Sequence, residues 1–566
     1  MPFDMPFLDH HPGRKDVLFC CIVLLFAFLV QQGRTGASVN GIYLSTDAAQ
    51  YCSIAAAMGQ PQAFAHDDAY SDPEALRVHS TLMVDLTRWL APPPDANGSI
   101  NYGVAYLRLT GLHVALHAIT FYLLGLALFR RRDFAAGFAV VFQQAYWIDW
   151  GTYFGCGYLD YTPRTTFEVF YPLYICAALA LLHTDRRRYP HMALFMALLG
   201  LMVYVHSIST LPVAIGFLLG FLWARPEKVP RQRHFWLVCV SGLAFCAVIA
   251  PFVLKFLRHG VSLTADDVNV LRETLLTRYD PEFAHYWAGM AGFFWYHTKL
   301  PLFPLAAAGA WLVRRHGLPH EKAFLTQMAW WCVGVLVVVV AFVVDQELAR
   351  VLKRHHYEFD CIRVLRFLVF FAYCAIFTGA LVLLRRSRER RRRWAGGLVV
   401  LLFVTVTLCG DARLTTTSLA WYWNVADPAR YATAYAPLLR RERMITALAT
   451  HTPPGASIFY PLEDQAIRHN AQRALVYGWK DASIFYYAKQ PDKLRRWNAI
   501  THALAASPTA YIDVAREIAA DYILSHRPED LPLLRELGAV VWQGEGFVLV
   551  KKGLPTTATA SPTPER

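Results

Sequence analysis

Asp47 lies in the segment Ser45-Thr46-Asp47-Ala48-Ala49-Gln50-Tyr51, shortly after the first long apolar run. A carboxylate at that position can take the proton of an attacking hydroxyl or bind a divalent cation. Ser-Thr-Asp before Ala-Ala is also good helix-capping chemistry. Further along, His66-Asp67-Asp68-Ala69-Tyr70-Ser71-Asp72 gathers three carboxylates and an imidazole. Such a set can ligate Mg²⁺ or Mn²⁺, with Asp67 and Asp68 as the ligands, although a solvated loop is the plainer reading. Asp72 precedes Pro73 and Glu74, which reads as an N-cap, an N1 proline and an acidic first turn. Arg363 and Arg366, three residues apart, would share one helical face and can hold a phosphate by their planar forks, with Arg164 as a third member. Trp150, Tyr153 and Asp160 belong to an aromatic, glycine-rich stretch that can stack on sugar rings, though interfacial aromatic belts look the same. Tyr51, His66, Glu168 and His206 complete the polar and aromatic groups expected to contact a sugar or an acceptor.

The elements that must position these groups are membrane helices. Of the 566 residues 55% are apolar and 14% aromatic, blocked into long runs. Apolar spans are read at about 17–30, 103–129, 134–148, 168–183, 191–205, 210–224, 235–257, 300–313, 323–344, 366–384 and 395–409. The first is short, and a cleaved signal peptide competes with a retained anchor there. Basic tracts at 10–15, 130–132, 186–188, 225–234, 314–322 and 385–393 fall at alternate ends of the runs. By the positive-inside rule they put the N-terminus in the cytoplasm and the C-terminus outside. The outer segments are then 31–102, 149–167, 258–299, 345–365 and the tail. The formal charge of +13 arises largely from these tracts, where Arg meets anionic headgroups. No basic stripe falls on a soluble domain, so nucleic acid is not expected as a partner. Most of the 11 cysteines lie in apolar runs and no CxxC occurs, which argues against a zinc ribbon or a thioredoxin-like site.

The fold class expected is therefore a polytopic α-helical membrane protein of about eleven spans with a C-terminal extracytoplasmic α/β domain. The membrane domain covers 1–410, the α/β domain 411–553 and a disordered Pro/Thr/Ser-rich end 554–566. Within the tail, helices are expected at 427–450, 484–505 and 508–520, and strands at 457–460, 474–477, 521–524, 539–543 and 547–550. In the first outer segment Leu76, His79, Leu82, Met83, Leu86, Trp89 and Leu90 mark one amphipathic helix lying on the bilayer surface.

A long first outer loop with an acidic residue soon after the first span, a juxtamembrane helix and an extracytoplasmic C-terminal domain resemble the GT-C superfamily of glycosyltransferases. The resemblance covers most of the chain in architecture and little of it in motif, since neither a DxD nor a WWDYG signature is present. It implies a polyprenyl-phosphate-linked sugar donor, an inverting transfer to an extracytoplasmic glycan, lipid or protein, and an acidic catalytic residue in the first loop. Asp47 matches that position, which makes Arg363, Arg366 and Arg164 the donor-phosphate ligands. The tail also resembles an uncharacterised family of bacterial multispanning proteins, through residues 452–459, 467–473 and Gly478-Trp479-Lys480-Asp481. A bacterial inner membrane is the expected location. The alternatives from other classes are a lipid or oligosaccharide flippase and a non-catalytic membrane scaffold.

Overall fold

The computed structural model describes residues 13–35, 44, 46–76, 79, 81–94, 99–144, 161–182, 188–258, 263–278, 285–299, 302–354, 361–386 and 412–553. Among the described residues seven helices are long and apolar enough to cross a membrane: Arg14–Gln32, Tyr102–Phe129, Pro163–Leu182, Val203–Trp223, Arg231–Leu254, Pro319–Val351 and Ile362–Arg386. The chain is a helical membrane-integral protein. Three further expected spans are shorter helices, Arg132–Gln144, Arg188–Leu201 and Leu302–His316. The span expected at 395–409 lies outside the described residues.

Sequence explains where several helices begin and how closely they pack. Asn101 caps Tyr102–Phe129 by accepting from Val104 N–H at 3.2 Å, and Arg130 leaves it in the left-handed region at φ 51°. Glycine permits the closest crossings, as is usual where no hydrophobic force separates helix from lipid. A Cβ at Gly334 would stand 2.3 Å from Gly216 Cα, and one at Gly379 would stand 2.5 Å from Gly309 Cα. The Val203–Trp223 helix is broken at His206, whose φ of −152° and ψ of 95° are extended rather than helical.

The amphipathic helix expected after Asp72 is instead two short ones, Pro73–Leu76 and Leu82–Trp89. Asp72 does cap the first, accepting from Glu74 N–H at 3.0 Å and Ala75 N–H at 3.3 Å. Between the two, the His79 ring meets Tyr487 of the distant tail edge-on at 5.3 Å. Leu82, Trp89 and Leu90 remain exposed beside partly buried Leu86, an apolar stripe suited to lipid.

The tail is a five-stranded sheet wrapped by helices. In chain order the strands are β1 (Ser457–Phe459), β2 (Ala474–Leu475), β3 (Tyr522–Ser525), β4 (Gly538–Gly544) and β5 (Phe547–Lys552), and their order in the sheet is β2-β1-β3-β5-β4. β1 pairs in parallel with β2 and β3, whereas β5 runs antiparallel to β3 and β4. The expected helix at 427–450 is divided into Pro428–Ala434 and Ala436–His451, and that at 484–505 into Asp481–Tyr487 and Pro491–Ala506. The apolar side chains Met444, Leu448, Ile458, Leu475, Leu524 and Leu549 fill the space beneath the sheet.

Tail and first loop are packed together. Gln50 Nε2 donates to Ser483 Oγ at 3.0 Å, Ser53 Oγ lies 3.3 Å from His469 Nδ1, and Gln472 Nε2 donates to the Ile100 carbonyl at 2.7 Å. These contacts require the first loop and the tail to lie on the same side of the membrane. The first loop also meets β2 directly, Leu475 N–H donating to Asp67 Oδ2 at 2.8 Å and Asp68 N–H to the Leu475 carbonyl at 3.4 Å.

Candidate functional site

Asp47 stands in the first turn of the Thr46–Gly59 helix, and its carboxylate faces cations rather than backbone N–H groups. Lys480 Nζ donates to Oδ1 at 2.5 Å, and Arg164 Nη2 lies 3.6 Å from Oδ2. Burial alone would push the Asp47 carboxyl up. The opposing charges of Lys480, Arg164 and Arg363 overcome it and hold the group well below the usual carboxylate range. The side chain is still 35% exposed, so a second molecule can reach it.

Each cation arrives from a different element. Arg164 opens the Pro163–Leu182 helix, Arg363 sits in the 3₁₀ turn Cys361–Leu365, and Lys480 follows β2. Glu463, in the loop after β1 at φ 52°, accepts from Lys480 N–H at 3.0 Å and sets the path of that loop. Arg164 is 13% exposed, and its Nε and Nη1 are buried without a partner among the described residues. A buried donor left unmade costs roughly 1–3 kcal/mol, so this is where an anion is best received.

Arg366 does not belong with Arg363 as the phosphate pair expected from their spacing. It begins the next helix, is buried, and its Nε donates to Glu168 Oε1 at 2.8 Å. Its Nη2 donates to Ser209 Oγ at 2.5 Å and its Nη1 to the Arg363 carbonyl at 3.0 Å. Glu168, expected among the sugar contacts, is thereby occupied with Arg366. His206 stands beside them, its Nδ1 at 2.7 Å from Ser209 Oγ. Tyr51 lies one helical turn beyond Asp47 and is half-buried. Trp150, Tyr153 and Asp160 lie outside the described residues. Arg350 and Arg354, on the outer segment at 345–365, pair locally with Glu347 at 2.8 Å and with Asp345.

The expected metal ligands are placed apart. Asp67 Oδ1 accepts from Ala69 N–H, Tyr70 N–H and Arg468 Nη2 at 3.0, 2.9 and 3.0 Å. Its Oδ2 accepts from Arg468 Nε at 2.7 Å and from Leu475 N–H at 2.8 Å. Asp68 faces Arg496 at 3.1 Å, and His66 is exposed. Among the described residues no three His, Cys, Asp or Glu side chains gather as a metal site requires. A divalent cation among Asp47, Asp67 and Asp68 does not fit this arrangement, because five N–H donors already saturate Asp67.

From sequence, Lys480 near an expected strand end reads either as a ligand contact or as part of a solvated face, and no pattern marks Glu463. The only signal for them was position, since both follow the ends of expected strands. Trp479, next to Lys480, is 37% exposed and packs on Trp497 at 5.3 Å between ring centroids.

No protein-family model and no curated protein matches the chain. Among solved structures it is similar to ArnT from Cupriavidus metallidurans in the apo state, at 14% identity and a TM-score of 0.45, with 94% of this chain and 97% of that one covered.

Proposed function

We propose that the chain is a GT-C-like glycosyltransferase that passes a sugar from a polyprenyl-phosphate carrier to the hydroxyl of an extracytoplasmic glycan, lipid or protein. The observation that carries the reading is an accessible carboxylate, Asp47, beside a buried arginine with two unpartnered N–H groups. Asp47 takes the acceptor proton while the acceptor oxygen forms a bond to the anomeric carbon. The bond from that carbon to the phosphate oxygen breaks with its electron pair, and the configuration inverts. Arg164 and Arg363 receive the charge that develops on the departing polyprenyl phosphate. In the resting state Lys480 and Arg164 depress the basicity of Asp47. An arriving phosphate draws these cations to itself and returns basicity to Asp47, which couples donor binding to proton transfer.

The membrane arrangement that accompanies this reading has eleven crossings, a cytoplasmic N-terminus and the tail outside a bacterial inner membrane. Lipid surrounds the helices and the tail covers the site. The test is transfer by the purified chain from a synthetic polyprenyl-phosphate sugar to endogenous envelope glycolipid, beside Asp47→Asn and Arg164→Ala. Product with the wild type alone supports the reading. Equal product from all three chains removes Asp47 from the chemistry, and no product from any of them returns the flippase and scaffold alternatives.

A further inference from the structure

The break in the Val203–Trp223 helix gives the site a group that the reaction above does not use. At His206 the helix stops and restarts, and His206 itself caps the restart. Its Nδ1 accepts from Ser209 N–H at 3.2 Å, and its carbonyl accepts from Thr210 Oγ1 at 2.9 Å. The remaining half-helix presents its N-terminus beside Arg366, as the broken helices of transporters present theirs to anionic ligands.

The proton on the His206 ring is fixed by its neighbours. A guanidinium can only donate, so Ser209 Oγ must accept from Arg366 Nη2. The single hydroxyl proton of Ser209 then turns to His206 Nδ1, 2.7 Å away. Nδ1 therefore receives both the N–H and the O–H of Ser209 and carries no proton of its own. The neutral ring must carry its proton on Nε2, at the opposite edge, and the side chain is only half-buried. Glu168 in turn neutralises Arg366 and holds the chain of donors in line. Through Ser209 and Arg366, whose Nη1 donates to the Arg363 carbonyl at 3.0 Å, the ring is tied by hydrogen bonds to the turn that carries Arg363.

We infer that His206 Nε2–H is a neutral third donor in an anion site whose charged members are Arg164 and Arg363, and that the ligand is a phosphoryl group. The identity of that group as a polyprenyl phosphate rests on the proposed transferase reading, whereas the tautomer rests on geometry alone. A neutral donor orients the phosphate without adding a further cation to a region that already holds three arginines. Ser209, Arg366 and Glu168 are positioning residues, acting through His206.

The test uses the full chain in nanodiscs with ¹⁵N in the histidine rings, the His206 signals being assigned by their loss in His206→Gln. Three probes are added separately: inorganic phosphate, a short-chain polyprenyl phosphate and phosphatidylglycerol. The expected spectrum shows Nδ1 unprotonated and Nε2 protonated, with Nε2 moving when polyprenyl phosphate is added. His206→Ala should weaken that probe by roughly tenfold or more, the loss of one hydrogen bond to a charged group. Ser209→Ala should weaken it as well by freeing the ring. His206→Gln, which carries an N–H donor near the Nε2 position, should recover most of the affinity, and gel filtration confirms that each variant is folded. A protonated Nδ1, or equal binding by His206→Ala and the wild type, overturns the inference. A shift with inorganic phosphate or phosphatidylglycerol but not with polyprenyl phosphate keeps the anion site and removes the transferase reading. No shift with any probe removes the site.

Discussion

Two clusters of cations and carboxylates join the first loop to the tail. They are built from the same residue types, yet they differ in every property that matters for chemistry. Arg468 lies wholly buried between Asp67 and Asp481, its fork bidentate to both at 2.7–3.0 Å, with the Tyr70 ring 4.2 Å from its centre. Every charged atom there is matched and none is open to a ligand. Asp47 instead holds one short contact to Lys480 and a longer one to Arg164, remains partly exposed, and faces three cations as a single carboxylate. The first cluster sets two carboxylates against one cation; in the second a single carboxylate faces Lys480, Arg164 and Arg363. A closed valence makes a lock, and an open one makes a site.

The contrast can be broken at its strongest point with Asp47→Asn, which should lower transfer about 10³-fold. A variant that transfers normally would dissolve the distinction. Arg468→Met attacks the other side. It leaves two buried carboxylates without their counter-ion and should cost about 3–5 kcal/mol, read by denaturant unfolding and by proteolysis of the tail. Arg164→Ala should raise KM for the donor by roughly ten- to a hundredfold and move the unfolding midpoint little, since two of its N–H groups have no partner among the described residues.

A pH titration sharpens the comparison further. Burial pushes the Asp481 carboxyl up to about 7 against the pull of Arg468, and the charge of Asp67 adds to the rise. A raised folded-state value means that folding takes up a proton between the ordinary carboxylate range and about 7. Stability from this group is present at low pH and lost as pH rises through about 7, and Asp481→Asn should flatten that slope. Asp47 has the opposite sign. Its depressed value gives stability that is present above the usual carboxylate range and lost only in strong acid. The smallest effect belongs to the rim. Asp68→Asn breaks a half-exposed pair with Arg496 and should change stability by less than about 1 kcal/mol in the same unfolding assay.

Much of the fold was legible because membrane helices and sheet strands announce themselves locally. The apolar blocks marked the long spans, Asp72 marked a cap, and the five strands fall within a few residues of their expected places. Asp47 was singled out by its place in the first outer loop and by the family resemblance rather than by a motif. What could not be read is which charge meets which. Arg366 and Arg363 have a spacing that suits a shared phosphate, but Glu168, 198 residues away, occupies Arg366. The dense acidic run at Asp67 looks like a metal loop until Arg468 reaches it from a distance of 401 residues. Lys480 reads as surface until folding carries it across 433 residues to Asp47. The expected surface helix is two short ones, and between them His79 meets a tail residue that local periodicity cannot foresee.

The bond between Asp67 and Arg468 also sets a clock. A ribosome adds about 5–20 residues per second, so the 401 residues between them take on the order of 20–80 s to make. Throughout that interval the first loop is already delivered, and the carboxylate shaped for a dry, five-fold-bonded seat has no guanidinium to meet. Gln50 and Ser53 wait with it for the same late segment. The loop can close only when the last quarter of the polypeptide has reached its side of the bilayer. A chain cut short before Arg468 should keep that loop open to added protease, so the junction certifies that synthesis was finished.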